Sequence, residues 1–138
     1  MQNVIVVTAC GKTKRNTAFP AWKLYKSPRI RFLKKKADIL GVDLYILSAK
    51  YGLVHSEEII EPYEAVMTKE TCTELILSIL NKLENIKPSK VIYYKGGARK
   101  EYFECIYRAC TMLNIKLLCF GYANMGDIKR IDEFINVG

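Results

Sequence analysis

"SPRIRFLKKKADILGVDLYILSAK", residues 27–50, contains one helix and one strand, with the boundary between them marked. Ser27 suits the N-cap, where a hydroxyl accepts an N–H of the first turn, and Pro28 suits the first helical position, where no donor is needed. Gly41 can take the left-handed conformation that ends a helix. Between these signals Ile30, Leu33, Ala37 and Leu40 fall at 3-4-3 spacing on one face, while Arg31, Lys34, Lys35 and Lys36 lie largely off it. The apolar run "DLYILSAK" (43–50) then reads as a strand covered on both faces.

The same alternation extends both ways. "NVIVVTAC" (3–10) is a β-branched strand, "KVIYY" (90–94) a third and "IKLLCFG" (115–121) a fourth. Residues 69–84 place Cys72, Leu75, Ile76, Ile79 and Leu83 on one helical face, with Thr68 as cap. A helix from about Ala98 to Leu113 carries Phe103, Ile106, Cys110 and Leu113, and "GDIKRIDEFI" (126–135) reads as a short terminal helix. Strands alternating with helices predict right-handed crossovers. The expected fold is a single α/β domain over 1–138: three layers, a mostly parallel sheet of about four strands, and helices on both faces. At this length such a domain buries roughly two thirds of its unfolded surface.

Composition narrows the setting. No apolar run approaches the roughly 20 residues of a membrane span, and "MQNVIVVTAC" enters a strand with no basic leader region, so neither membrane nor secretion is expected. Five cysteines without a CxxC pair argue against a disulfide framework and for a reducing, cytoplasmic compartment, with Cys72, Cys105, Cys110 and Cys119 read as small buried hydrophobes. One histidine and no cysteine cluster leave no expected metal site, and no cofactor is expected. The net charge of +8 is concentrated: residues 1–41 hold ten Lys/Arg against Asp38, a net of +9, and the other 97 residues sum to −1. Polyanions are the partners such a face suits.

In a parallel sheet all strand C-termini meet at one edge, where ligands bind. The unusual stretches gather there: Cys10-Gly11-Lys12, Ser48-Ala49-Lys50-Tyr51-Gly52, Lys95-Gly96-Gly97-Ala98-Arg99 and Gly121-Tyr122-Ala123-Asn124-Met125-Gly126. Gly96-Gly97 before a helix suits an anion, because backbone N–H groups can approach it and the helix dipole favours negative charge. Neither GxGxxG nor GxxxxGK[ST] spacing is present, which excludes a dinucleotide fold and a P-loop ATPase. Tyr51, Tyr63, Tyr94 and Tyr122 are placed to stack on a base. The loop after Gly52 offers Glu57, Glu58, Glu61 and Glu64; Glu61 is held beside Pro62 and, with Asp127, is the expected acid/base. Cys10 beside Lys12 and Lys14 is a candidate nucleophile or redox thiol, with His55 the one imidazole available to it.

"ACGKTK", "AWKLYKS", "ILSAKYGLVHSEEIIEPYE", "YYKGGARKEYF" and "GYANMGDIKRI" together resemble, in order, the blocks of an uncharacterised prokaryotic and viral domain family. A more distant similarity, at Tyr51-Gly52-Leu53-Val54 and Pro62-Tyr63, is to the YaaA peroxide-stress proteins, which are associated with DNA binding and oxidative stress. The resemblance implies the α/β fold and a shared ligand rim. Two functions are expected from different classes. The first is a protein binding a nucleotide or nucleic acid through Gly11, Lys12, Ser48, Lys50, Tyr51, Gly52, Tyr63, Gly96, Gly97 and Arg99, with a glycosidic bond as the candidate target of catalysis. The second is a non-catalytic nucleic-acid-binding module using Arg29, Arg31, Lys34 and Lys35 of the basic helix.

Overall fold

The computed structural model describes residues 3–11 and 14–121. β1 (Val4–Ala9) is the central strand and is buried along its whole length. Its β-branched residues face alternately: Val4 and Val6 join one buried cluster, Ile5 and Val7 the other. Each such side chain contributes about 1.5–3 kcal/mol on burial, so this strand anchors two layers at once. The short strand β2 (Phe19–Pro20) and helix α1 (Ala21–Leu24) follow in a stretch with no periodicity to predict them.

α2 (Pro28–Leu40) has the expected boundaries. Ser27 Oγ accepts from the Ile30 N–H at 3.3 Å, and Gly41 closes the helix at φ +71°. Ile30, Leu33 and Ala37 are its buried residues. It delivers the chain to β3 (Asp43–Ser48), parallel to β1, with Ala9 opposite Leu47.

At Ser48 the structure departs from the expected strand-to-loop corner. Ala49, Lys50 and Tyr51 reverse the chain, Gly52 takes φ +76°, and β4 (Gly52–His55) pairs back antiparallel on β3. The sheet therefore has five strands, one more than expected, with this hairpin strand at its edge. β5 (Ile59–Ile60) pairs with β2 in a separate ribbon.

α3 (Lys69–Ile86) starts at Thr68, whose Oγ1 accepts from the Thr71 N–H at 3.1 Å. It leads to β6 (Lys90–Tyr94), which lies parallel to β1 on the side away from β3. α4 (Lys100–Met112) leads on to β7 (Lys116–Phe120), parallel to β6. The main sheet thus runs β4-β3-β1-β6-β7, mostly parallel, in a three-layer α/β arrangement. Leu33 and Ala37 of α2 pack with Val4, Val6 and Ile92 on one face. Ile79, Leu83 and Ile106 of α3 and α4 pack with Ile5, Val7 and Val91 on the other. The expected helix at 126–135 lies outside the described residues.

The cysteine reading needs one correction. Cys72 and Cys105 are joined in a disulfide. α3 and α4 share one face of the sheet, which brings two cysteines on separate helices to a Cα separation of 5.7 Å, inside bridging range. Cys10 and Cys110 are buried thiols. Among the described residues no helix is long and apolar enough to cross a membrane.

Candidate functional site

The order of strands fixes where a ligand can enter. From β1 the chain crosses by α2 on one face to β3, and β6 on β1's other side is reached by α3 on the opposite face. Where crossovers diverge in this way, the loops beyond the strand C-termini part and leave a crevice. A cavity of about 860 Å³ opens there. Its walls are Cys10 and Gly11 after β1, Ser27 and Arg29 at the start of α2, and Gly97, Ala98 and Arg99 ahead of α4. Lys14, Lys26, Glu64 and Tyr102 complete its polar lining. The N-terminal ends of α2 and α4 both reach this wall, so two positive helix-dipole ends face one space.

Among the described residues its charge is strongly one-sided: Lys14, Lys26, Arg29 and Arg99 stand against Glu64 alone. Arg29 is the most constrained of these. Its Nη2 donates to the Ala9 carbonyl at 2.8 Å, tying the guanidinium to the end of β1. Burial lowers its pKa, and the neighbouring Tyr93 acts in the opposite sense; an arginine so placed still carries its charge. Gly96 makes room for it. A Cβ at position 96 would lie 2.8 Å from Arg29 Cδ, and the backbone there holds φ +54°. Arg29 Nε and the Tyr93 hydroxyl are buried and make no hydrogen bond among the described residues. Unpaired buried donors are uncommon and mark places where a water or ligand atom completes the structure.

Cys10 sits at the floor of this charged space, 8% exposed. Its N–H donates to the Leu47 carbonyl at 3.0 Å, which extends the β1–β3 ladder and anchors the backbone at Cys10. Sγ lies 3.2 Å from the Tyr102 hydroxyl. A hydroxyl chain approaches from the other side: Ser48 Oγ donates to Tyr63 Oη at 2.7 Å, and Tyr63 Oη lies 2.6 Å from Tyr25 Oη. Lys14 Nζ stands over the Tyr63 ring, 4.6 Å from its centroid. Burial, followed by the nearby Cys10, raises the pKa of Tyr25, Tyr63 and Tyr102. All three phenols therefore stay protonated at neutral pH and serve as hydrogen-bonding groups.

Of the residues expected from sequence, Cys10, Gly11, Gly97 and Arg99 come together in the lining. Gly96 acts from behind it, through Arg29. Lys50, Tyr51 and Gly52 do not line the cavity. Lys50 is exposed with Nζ 5.2 Å from the Tyr51 ring centroid, and Gly52 is packed where a Cβ would meet Ser78 Oγ at 2.9 Å. The Tyr51 ring meets the Tyr63 ring edge-on at 5.4 Å, and its hydroxyl donates to the Glu61 carbonyl at 3.3 Å. Glu61 and Glu64 are both exposed, and of the two only Glu64 lies in the lining. Tyr94 is buried edge-on against Phe120. Lys12, Tyr122 and Asp127 lie outside the described residues.

His55 is no partner for Cys10. It is opposite Tyr45, three residues back along β3 from Ser48, where Nε2 lies 3.2 Å from Asp43 Oδ1 and Nδ1 accepts from the Glu57 N–H at 3.1 Å. On α2, Arg31 and Lys35 are exposed, while Lys34 is bound by Asp38 at 2.7 Å and Glu57 at 2.9 Å. Arg29 belongs to the cavity instead of this outer face. Tyr102 escaped the sequence reading because the apolar pattern pointed to Phe103, whereas Tyr102 and Cys105 are the buried residues of that turn. Its place two residues after the Lys100 helix start was the available signal. Among the described residues no group of three His, Cys, Asp or Glu side chains is arranged to hold a metal ion.

Comparison with curated proteins and with solved structures finds no match. A family model, described as "Family of unknown function (DUF6884)", matches residues 5–117, which span β1 through the start of β7 and so include every described wall of the cavity. The chain belongs to this DUF6884 family.

Proposed function

We propose that the protein binds a nucleotide unit, free or within a nucleic acid, with its phosphate in the cavity at the β1–β6 switch point. One observation carries this reading: among the described residues, four cationic side chains and two helix N-termini converge on a single space of about 860 Å³ with one opposing carboxylate. That volume lies within the range of small-ligand sites, roughly 300–1,000 Å³. Arg29 supplies a fixed, planar, charged donor set, and Lys14, Lys26 and Arg99 add charge around it. A cytoplasmic setting belongs to the same proposal on the chemistry of the ligand alone, since the Cys72–Cys105 bridge removes the argument for a reducing compartment from the cysteines. The likeness of Tyr51-Gly52-Leu53-Val54 and Pro62-Tyr63 to the YaaA proteins favours nucleic acid as the source of the nucleotide. If the bound nucleoside is cleaved at its glycosidic bond, Glu64 takes the acid/base part expected of Glu61.

A second reading rests on the exposed Arg31 and Lys35 of α2, which present charge outside the cavity. The two are separated by titrating labelled tRNA, single-stranded DNA and duplex DNA across a salt series with 5′-mononucleotides as competitors. The cavity reading predicts competition by the mononucleotide and a shallow salt dependence. Steep loss of affinity with salt, with no competition, assigns binding to phosphate contacts along α2.

A further inference from the structure

We propose that Cys10 is a nucleophile toward phosphorus, and that the cavity hydrolyses a phosphate monoester through a phosphocysteine. This rests on the phosphate-binding reading above and adds a reaction to it. The geometry brings the required parts into one enclosure. Cys10 lies at the end of the central strand, held by the Leu47 carbonyl, in a lining that also contains Arg29, Arg99 and Lys14. Nothing in that enclosure resembles a histidine base, since His55 is held by Asp43 and Glu57 on another part of the sheet. A thiol needs less help than a hydroxyl, because sulfur is intrinsically the stronger nucleophile. The Tyr102 hydroxyl, 3.2 Å from Sγ, donates to the sulfur when it is negative, both before attack and on departure.

In the first step the Cys10 thiolate attacks phosphorus and forms an S–P bond. The bond from phosphorus to the ester oxygen breaks, and its electron pair goes to that oxygen. The Glu64 carboxyl, the one acidic group among the described lining residues, delivers the proton, and the alcohol leaves. In the second step the Glu64 carboxylate takes a proton from water as the water oxygen attacks phosphorus. The S–P pair returns to sulfur, so the net reaction is monoester plus water giving alcohol plus phosphate. Arg29 and Arg99 offset charge on the transferring group throughout. The bond broken differs from the glycosidic bond of the earlier expectation, and the products differ accordingly.

The test uses the full chain with a 5′-nucleoside monophosphate and with p-nitrophenyl phosphate, measuring phosphate, nucleoside and free base separately, alongside nucleotide binding by calorimetry. The expected result is release of phosphate and nucleoside by the wild type. Cys10→Ser should still bind the nucleotide while losing turnover by on the order of 100-fold or more. With p-nitrophenyl phosphate, whose phenolate leaves without a proton, Glu64→Gln should form the intermediate but not hydrolyse it. A phosphorylated Cys10 peptide should then accumulate in samples denatured rapidly at neutral pH. Binding without phosphate release, release of free base, or turnover retained in Cys10→Ser would each overturn the phosphocysteine and leave the binding site standing. Absence of nucleotide binding by the wild type would remove both readings together.

Discussion

Ser48 Oγ donates to the Tyr63 hydroxyl across 2.7 Å while accepting the N–H groups of Lys50 and Tyr51 at 3.1 and 3.0 Å. One buried oxygen thus shapes the β3–β4 reversal and holds a phenol beside Cys10. The Ser-Ala-Lys-Tyr-Gly corner serves the cavity at one remove: it positions Tyr63 and does not line the site.

Removing that oxygen should therefore cost more than one hydrogen bond. Ser48→Ala takes the side-chain acceptor from the Lys50 and Tyr51 N–H groups, each worth about 1–3 kcal/mol when unsatisfied, and leaves Tyr63 with Tyr25 as its remaining hydroxyl partner. A lower urea midpoint is expected, with a smaller loss for Tyr63→Phe, which keeps the turn. Equal losses for the two would show that the turn contacts contribute nothing.

The two glycines before α4 should respond differently to alanine. At Gly96 the backbone has φ +54° and a Cβ meets Arg29 Cδ at 2.8 Å, whereas at Gly97 nothing lies within 4 Å. Gly96→Ala should lose about 1–2 kcal/mol from the left-handed backbone alone and weaken nucleotide binding by displacing Arg29. Gly97→Ala should stay within about 0.5 kcal/mol of wild type. Paired denaturation curves check the ranking.

The Cys72–Cys105 link closes a separation of 33 residues between α3 and α4. Its loss should reduce stability by about 2–4 kcal/mol. Urea unfolding with and without reductant reads this directly, and a Cys72→Ala/Cys105→Ala double variant should be insensitive to reductant.

Alkaline pH should unfold the protein. Burial pushes the Cys110 thiol from its ordinary 9.0 up to about 12, and burial also raises Tyr25, Tyr63, Tyr93 and Tyr102. The folded state then binds more protons than the unfolded one, so the contribution from Cys110 is complete below about pH 9 and declines as pH rises toward 12. Denaturation midpoints should fall as pH rises from about 9 toward 12, and the fall should be shallower in Cys110→Ala.

Much of this architecture was readable because its signals are local. Ser27, Pro28 and Gly41 mark α2 by backbone chemistry, and the unbroken apolar runs of β1, β3 and β6 follow from burial on both faces. β4 was hidden because four residues at a sheet edge derive their strand character from pairing with β3, which no period within them announces. The gathering of Cys10, Gly11, Gly97 and Arg99 followed from strand direction alone. The choice of Glu64 over Glu61, of Tyr102 over Phe103, and of Arg29 for the cavity depends on helix rotation and on the path of one loop. The Cys72–Cys105 pair likewise needs the packing of α3 on α4 before it can be seen.

The most direct test of the central claim is calorimetric titration of a 5′-mononucleotide into the wild type, Arg29→Gln and the double variant Arg31→Glu/Lys35→Glu. The cavity account predicts binding by the wild type, a loss of roughly tenfold or more in Arg29→Gln for a lost charge-assisted contact of about 1.5–3 kcal/mol, and little change in the double variant. Unchanged affinity in Arg29→Gln, or binding abolished by Arg31→Glu/Lys35→Glu, would contradict it.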